Sequence, residues 1–80
     1  MMKLKVQYFG MLADIAGISA EDWVVEDAVT VGGLRAEIQK KYAEMKISKV
    51  KVAVNKQISE DHLVILPDSA VALLPPFAGG

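Results

Sequence analysis

The 80-residue sequence predicts an α+β domain, a mixed β-sheet packed on one main helix. Three observations carry this reading. Short stretches at residues 2–9, 22–26, 50–54 and 70–74 show apolar alternation or compact apolar runs of strand length. One longer stretch, from Val31 to Tyr42, repeats apolar residues at helical spacing. The order strand, short helix, strand, helix, strand, strand gives a single sheet with one helix to cover it. A chain this short is one small domain, burying roughly 60–65% of the surface that its unfolded form exposes. There is no cysteine, so neither a disulfide staple nor a thiolate metal site supports it, and the 52% of hydrophobic residues must supply the core.

Taken in order, Leu4, Val6 and Tyr8 fall on one face of the first strand, with Lys3, Lys5, Gln7 and Phe9 on the other. Gly10 breaks the pattern. Met11 to Ala16 suits a short helix, closed by Gly17 at a left-handed C-cap position. Residues 22–26, around Trp23, read as a second strand antiparallel to the first, because the connection is short. Glu21, Asp22, Glu26 and Asp27 surround it, as expected of an exposed edge or of loop ends. Trp23 itself reads as a partly buried strand residue.

Thr30 is a good N-cap, and Leu34, Ile38 and Tyr42 follow at helical spacing. Lys40, Lys41 and Lys46 gather near the end of this helix, where cations complement its dipole. Gly32-Gly33 in the first turn costs about 1 kcal/mol per residue relative to alanine, so it needs a reason. The pair permits close packing or anion binding, but it has neither P-loop nor GxGxxG spacing. Val50, Val52 and Val54 alternate with Lys51, Ala53 and Asn55, giving a third strand with one solvated face. Asn55-Lys56-Gln57 reads as a turn before Ile58. Ser59 to His62 is polar loop, and Leu63 to Leu66 is a short apolar piece ended by the Pro67-Asp68-Ser69 turn. Ala70 to Leu74 is the last strand, apolar at every position, as suits burial on both faces or cover by a partner. Placing that strand centrally, beside the first, aims the chain end off the sheet. This is the β-grasp of ubiquitin, though periodicity alone does not select it over other split β-α-β layouts. The division is a β-grasp domain at 1–74 and an extended tail at 75–80.

The tail, Pro75-Pro76-Phe77-Ala78-Gly79-Gly80, carries the functional reading. Two prolines stiffen it toward an extended course and remove two backbone donors. Six extended residues reach about 20 Å at 3.3–3.6 Å each. Glycine lacks a Cβ, so Gly79-Gly80 fits a channel too narrow for side chains. The α-carboxyl of Gly80, with an ordinary pKa of about 3.3–3.7, is an anion at neutral pH and resists nucleophilic attack until activated, for example as an acyl-adenylate. The chain offers no nucleotide-binding pattern, so a partner must do this. Phe77 reads as a partner anchor, against folding back on its own domain. Ile58, Leu74 and Phe9 read either as an exposed apolar patch for a partner or as ordinary core. In the isolated chain the tail is expected to be mobile.

Other classes find little support. Nine Lys and Arg against ten Asp and Glu give a formal charge of −1, which argues against a nucleic-acid binder. Lys40, Lys41, Lys46, Lys49 and Lys51 read as a solvated face. His62 stands alone in a polar loop without a second metal ligand. Asp14, Glu60, Asp61 and Asp68 form no carboxylate pair with acid–base spacing. No apolar run approaches the roughly 20 residues of a membrane span, and the first residues lack a signal peptide's apolar region, so the expectation is a cytoplasmic domain away from membranes.

Val71 to Gly80 resembles the C-terminus of the MoaD-type sulfur carriers, the small subunits of molybdopterin synthase within the ubiquitin-like MoaD/ThiS family. Val52-Ala53-Val54-Asn55, Val6-Gln7-Tyr8-Phe9-Gly10 with Ala16-Gly17, and Thr30-Val31-Gly32-Gly33-Leu34 are similar to it too, so the resemblance spans the chain. The Pro-Pro-x-x-Gly-Gly ending is its most specific part; thiamine-pathway carriers share the Gly-Gly but generally lack the double proline. The resemblance implies that an ATP-dependent, ubiquitin-activating-like enzyme adenylates Gly80 and that a sulfur donor converts it to a thiocarboxylate. The tail then enters the large catalytic subunit and gives sulfur to a pterin precursor of the molybdenum cofactor, in an assembly of two small and two large subunits. Gly80 would carry the sulfur, Gly79 and Ala78 would pass the channel, and Pro75, Pro76 and Phe77 would guide the tail. The chain would have no cofactor and no catalysis of its own. It departs from the family in having Pro67 and Ser69 around Asp68, where a Gly-Asp-Glu turn is common, and Ala13 where a basic residue is common. A carrier for thiamine, cysteine or tRNA thiolation, a ubiquitin-like modifier conjugated through Gly80, and a plain interaction module are the alternatives.

Overall fold

Strand β1, Met2–Tyr8, buries Leu4, Val6 and Tyr8 and exposes Lys3, Lys5 and Gln7, as its period-two pattern requires. The computed structural model describes residues 1–76; Phe77, Ala78, Gly79 and Gly80 lie outside the described residues, and so do the expectations made for them, tail mobility included. Helix α1, Met11–Ala16, begins at Gly10 and ends at Gly17, whose left-handed backbone (φ 74°) lets its amide donate to the Ala13 carbonyl at 2.9 Å. Strand β2 is Ala20–Val25, two residues earlier at its start and one earlier at its end than the sequence suggested. The ladder explains the shift. Gln7 still finds a partner in Ala20, so pairing persists as far as β1 lasts.

Helix α2, Val31–Lys41, starts where Thr30 Oγ1 accepts the Gly33 amide at 3.1 Å. It buries Val31, Leu34 and Ile38. Two short 3₁₀ turns, Ala43–Met45 and Ile47–Lys49, follow, joined at Lys46 in a left-handed conformation (φ 50°). Gln39 supports them: its Oε1 accepts the Ile47 amide at 3.1 Å and its Nε2 donates to the Ala43 carbonyl at 2.9 Å. Arg35 Nη1 donates to the Ile47 carbonyl at 2.6 Å, while its Nε lies 2.8 Å from Asp61 without aiming its N–H there, so that contact is electrostatic rather than a directed hydrogen bond.

Strands β3, Lys51–Val54, and β4, Gln57–Ile58, form a hairpin whose two turn residues, Asn55 and Lys56, both have positive φ (52° and 72°). Gln57 therefore belongs to β4, outside the turn. Leu63 to Leu66 is no strand of the sheet. It makes one isolated antiparallel bridge, Thr30 with Val64, buries Ile65 and leaves the other three exposed, because its partner is the entry to α2. Strand β5, Ala70–Leu74, occupies the middle of the order β2-β1-β5-β3-β4, parallel to β1 and antiparallel to β3. The turn before it carries Asp68 at φ 63°, and the topology is unchanged by Pro67 and Ser69. Despite its uniform apolar composition, β5 alternates: Val71 and Leu73 are buried in the core, Ala72 and Leu74 are half-buried, and Ala70 is exposed. One sheet face, with Leu4, Val6, Tyr8, Val25, Val52, Val54, Val71 and Leu73, joins Val31, Leu34 and Ile38 in a single core. The β-grasp expectation is met.

Candidate functional site

The root of the tail is braced by the turn between β1 and α1. The Phe9 amide donates to the Leu73 carbonyl at 3.2 Å, so the chain after β1 keeps pace with the end of β5. Gly10 then turns with φ 56° and ψ −132°, a region that essentially only glycine occupies. A Cβ there would lie 3.2 Å from Cγ of Pro75. Pro75 is half-buried in this position, whereas Pro76 is exposed and borders a cleft of about 110 Å³ with Met11, Leu12, Met45 and Lys49. The rigid body thus fixes where the tail starts and holds its first proline.

The sheet face away from α2 is the second component. Strand register sets Gln7, Ala72, Ala53 and Ile58 in one row across β1, β5, β3 and β4, and Leu74 beside Lys51 in the next. Ile58 is 57% exposed and Phe9 45% exposed, so neither is core; Leu74 is half-buried. Ala53 was expected to be solvated but is only 7% exposed. Its small side chain lies between Ala72 and Ile58 and remains outside the core cluster. Small alanines flanked by Ile58 and Leu74 make a shallow apolar surface.

On the opposite face lies a polar network that sequence reading missed. Glu21 Oε1 accepts the Tyr8 hydroxyl at 2.7 Å and the Tyr42 hydroxyl at 2.9 Å, and its Oε2 accepts Lys41 Nζ. Trp23 Nε1 donates to Tyr8 Oη at 2.8 Å. Burial alone would raise the Glu21 carboxyl, but the hydrogen bonds from Lys41, Tyr8 and Tyr42 outweigh it and hold the pKa below the ordinary 4.5. Burial first, then the Glu21 carboxylate, push both tyrosines upward, and Glu21 likewise raises Lys41. The sequence groups Glu21 with exposed edge acids; in the structure it pairs with inward-facing Val6. The available signal was its period-two relation to Trp23 and Val25. This network ties the end of β1 to the end of α2, immediately beside the Tyr8–Leu73 pairing that precedes the tail.

Gly32-Gly33 is a packing device. The Val31 and Gly32 amides donate to the Leu63 and Asp61 carbonyls at 2.9 Å each, and the Gly33 amide is taken by Thr30, so none of these three is open to an anion. A Cβ on Gly32 would lie 3.2 Å from Cβ of Asp61. His62 is exposed, with Nδ1 3.4 Å from Glu60.

The central strand thus ends at Pro75-Pro76, and the outer sheet face carries an apolar patch of Ala53, Ala72, Ile58 and Leu74. The family model described as the ThiS family matches residues 6–80. The chain belongs to the ThiS family. Its fold is the ubiquitin-like β-grasp. Solved structures share the fold. A Pyrococcus furiosus protein described as molybdopterin converting factor subunit 1 has a TM-score of 0.86 at 24% identity, covering 96% of this chain and 100% of its own. The small archaeal modifier protein 1 of Haloferax volcanii gives 0.83 at 17% identity, with the same coverage. In the complex of subunits 1 and 2 of the Helicobacter pylori molybdopterin-converting factor, the matching chain gives 0.70 at 21% identity, covering 99% of this ThiS-family chain and 100% of its own.

Proposed function

We propose that this ThiS-family chain is the sulfur-carrying small subunit of molybdopterin synthase, working in the cytoplasm as one of two small subunits with two large ones. A ubiquitin-activating-like enzyme joins the Gly80 carboxylate to AMP, releasing pyrophosphate from ATP. A sulfur nucleophile displaces AMP and leaves a thiocarboxylate, which the large subunit's active site uses to place sulfur on a pterin precursor. Gly80 carries the sulfur, Gly79 and Ala78 thread the channel, and Phe77 anchors the tail. Pro75 and Pro76 set its direction, and Phe9, Ile58 and Leu74 meet the large subunit on the outer sheet face.

The observation that carries this reading is the placement of β5: the central strand ends at Leu74 and hands on to Pro75, wedged against Gly10, in a family model whose match runs to Gly80. The double proline favours the molybdopterin pathway over thiamine-type carriage. The deciding experiment is intact mass after incubation with an activating enzyme, ATP and a sulfur donor, followed by addition of large subunit and precursor. A gain equal to sulfur replacing oxygen, absent when Gly80 is deleted and reversed on sulfur transfer to the pterin, is the expected result. Loading without transfer would assign another thiolation pathway, and no loading by an enzyme active on a second carrier would leave conjugation or simple binding.

A further inference from the structure

A groove of about 370 Å³ lies away from the root of the tail, between β2 and α2. Its walls are Trp23, Val24 and Val25 of β2, Val29 of the connection, and Gly33 and Glu37 on successive turns of α2. The volume is at the low end of the roughly 300–1,000 Å³ of ligand sites. Among the described residues β2 is an edge strand, paired only with β1. The Tyr8 amide donates to the Ser19 carbonyl at 2.8 Å, which fixes the alternation of the ladder. Ser19, Glu21, Trp23 and Val25 then bond to β1, and the N–H and C=O groups of Ala20, Asp22 and Val24 point out along the free edge. The groove therefore offers an apolar floor beside a row of unused backbone donors and acceptors.

Its charge selects the occupant. The charged side chains lining it are both carboxylates, Glu26 and Glu37, and both are exposed. Asp22 lies on the other sheet face, across from Lys5, and the Met1 amine, whose residue also lines the groove, is already 3.4 Å from Asp27. Two such edges brought together would oppose Asp22 and Glu26 to like charges, which disfavours a second copy of this chain. We infer that β2 and α2 form a docking groove for an extended segment of a partner protein that adds as a sixth strand, presenting alternate apolar side chains to the groove and arginine or lysine to Glu26 and Glu37. This is independent of sulfur carriage and uses a different surface from the outer sheet face.

The test is amide-shift titration of the ¹⁵N-labelled full chain with an acetylated, amidated peptide, Arg-Val-Thr-Val-Thr-Val-Arg. Saturable shifts confined to Ala20–Val25 and Gly33–Glu37 are expected. N-methylation of the peptide's alternate amides should abolish them. Replacing its arginines by glutamate, or making the Glu26→Lys/Glu37→Lys variant, should weaken binding about tenfold, and that variant should bind the glutamate peptide better than wild type does. Both substituted residues are exposed, so the fold survives, and the peptide controls need no variant at all. Deleting Gly79 and Gly80 should leave the affinity unchanged. Absence of saturable shifts at millimolar peptide, equal affinity for the glutamate peptide, shifts centred on Phe9, Ala53 and Ile58, or dependence on Gly79-Gly80 would each overturn the assignment.

Discussion

Gly10 and Glu21 are two single residues on which the tail's starting point depends, for opposite reasons. Gly10 supplies a backbone conformation, and the absence of a side chain leaves room for Pro75. Gly10→Ala forces both a Gly-only φ/ψ region and a 3.2 Å approach to the proline, so it should lower stability by about 1–3 kcal/mol in urea unfolding and shift the amide signals of Leu73 and Leu74. The sequence shows Gly10 as a strand breaker, but its contact with Pro75 joins opposite ends of the chain, and no local pattern encodes that. Glu21 acts through charge. Its pKa is lowered in the folded state, so its contribution is fully present above the ordinary 4.5 and is lost as pH falls through the lower folded value. Glu21→Gln should cost about 1.5–3 kcal/mol at pH 7. The variant's stability should then decline less than that of the wild type when denaturation midpoints are compared from pH 6 down to pH 3.

At the scale of elements, legibility follows how local the determinants are. Helix α2 was visible because its N-cap, its apolar spacing and its terminal lysines all lie within one stretch. Thr30→Ala should remove about 1 kcal/mol, since Thr30 Oγ1 holds the Gly33 amide, and thermal unfolding would show it. The β3–β4 turn was visible as well, but not its strain. Lys56 adopts φ 72° without glycine's freedom, in a two-residue hairpin turn where Asn-Gly is preferred. Lys56→Gly should therefore stabilise the protein by up to about 1 kcal/mol, provided that Asn55 keeps its Oδ1 bond from the Ala70 amide at 2.9 Å. The 3₁₀ turns and the course of Leu63 to Leu66 were not legible. Gln39, Arg35 and the amides at the entry to α2 fix them, and each of these contacts crosses between elements. The extent of β2 depended on β1 in the same way.

For the molecule as a whole, the element pattern alone left several sheet orders open, and it was the resemblance of the tail and of three internal segments that favoured the β-grasp. Periodicity reports faces, not neighbours, so it gives the alternation of β1 but cannot tell that β5 inserts between β1 and β3. The candidate site divides similarly. The Pro-Pro and Gly-Gly end stands out in the sequence as a candidate tail because glycine and proline act through their own backbones, whereas the outer surface around Ile58 and the groove beside β2 exist only once strands are paired. Fold and proposed chemistry are consequently separable, and the separation is measurable. The core cluster runs from Leu4 to Leu73, with no member beyond β5 among the described residues. Gly79 and Gly80 have no side chains to add to such a cluster, so on deleting them the urea midpoint should move by less than the equivalent of about 0.5 kcal/mol. The same deletion should abolish sulfur loading, because the new terminal carboxylate, on Ala78, falls about 7 Å short of the reach of Gly80. A variant that lost loading and also lost several kcal/mol of stability would mean that the last two glycines brace the domain, and the idea of a rigid body presenting a chemically independent end would have to be abandoned.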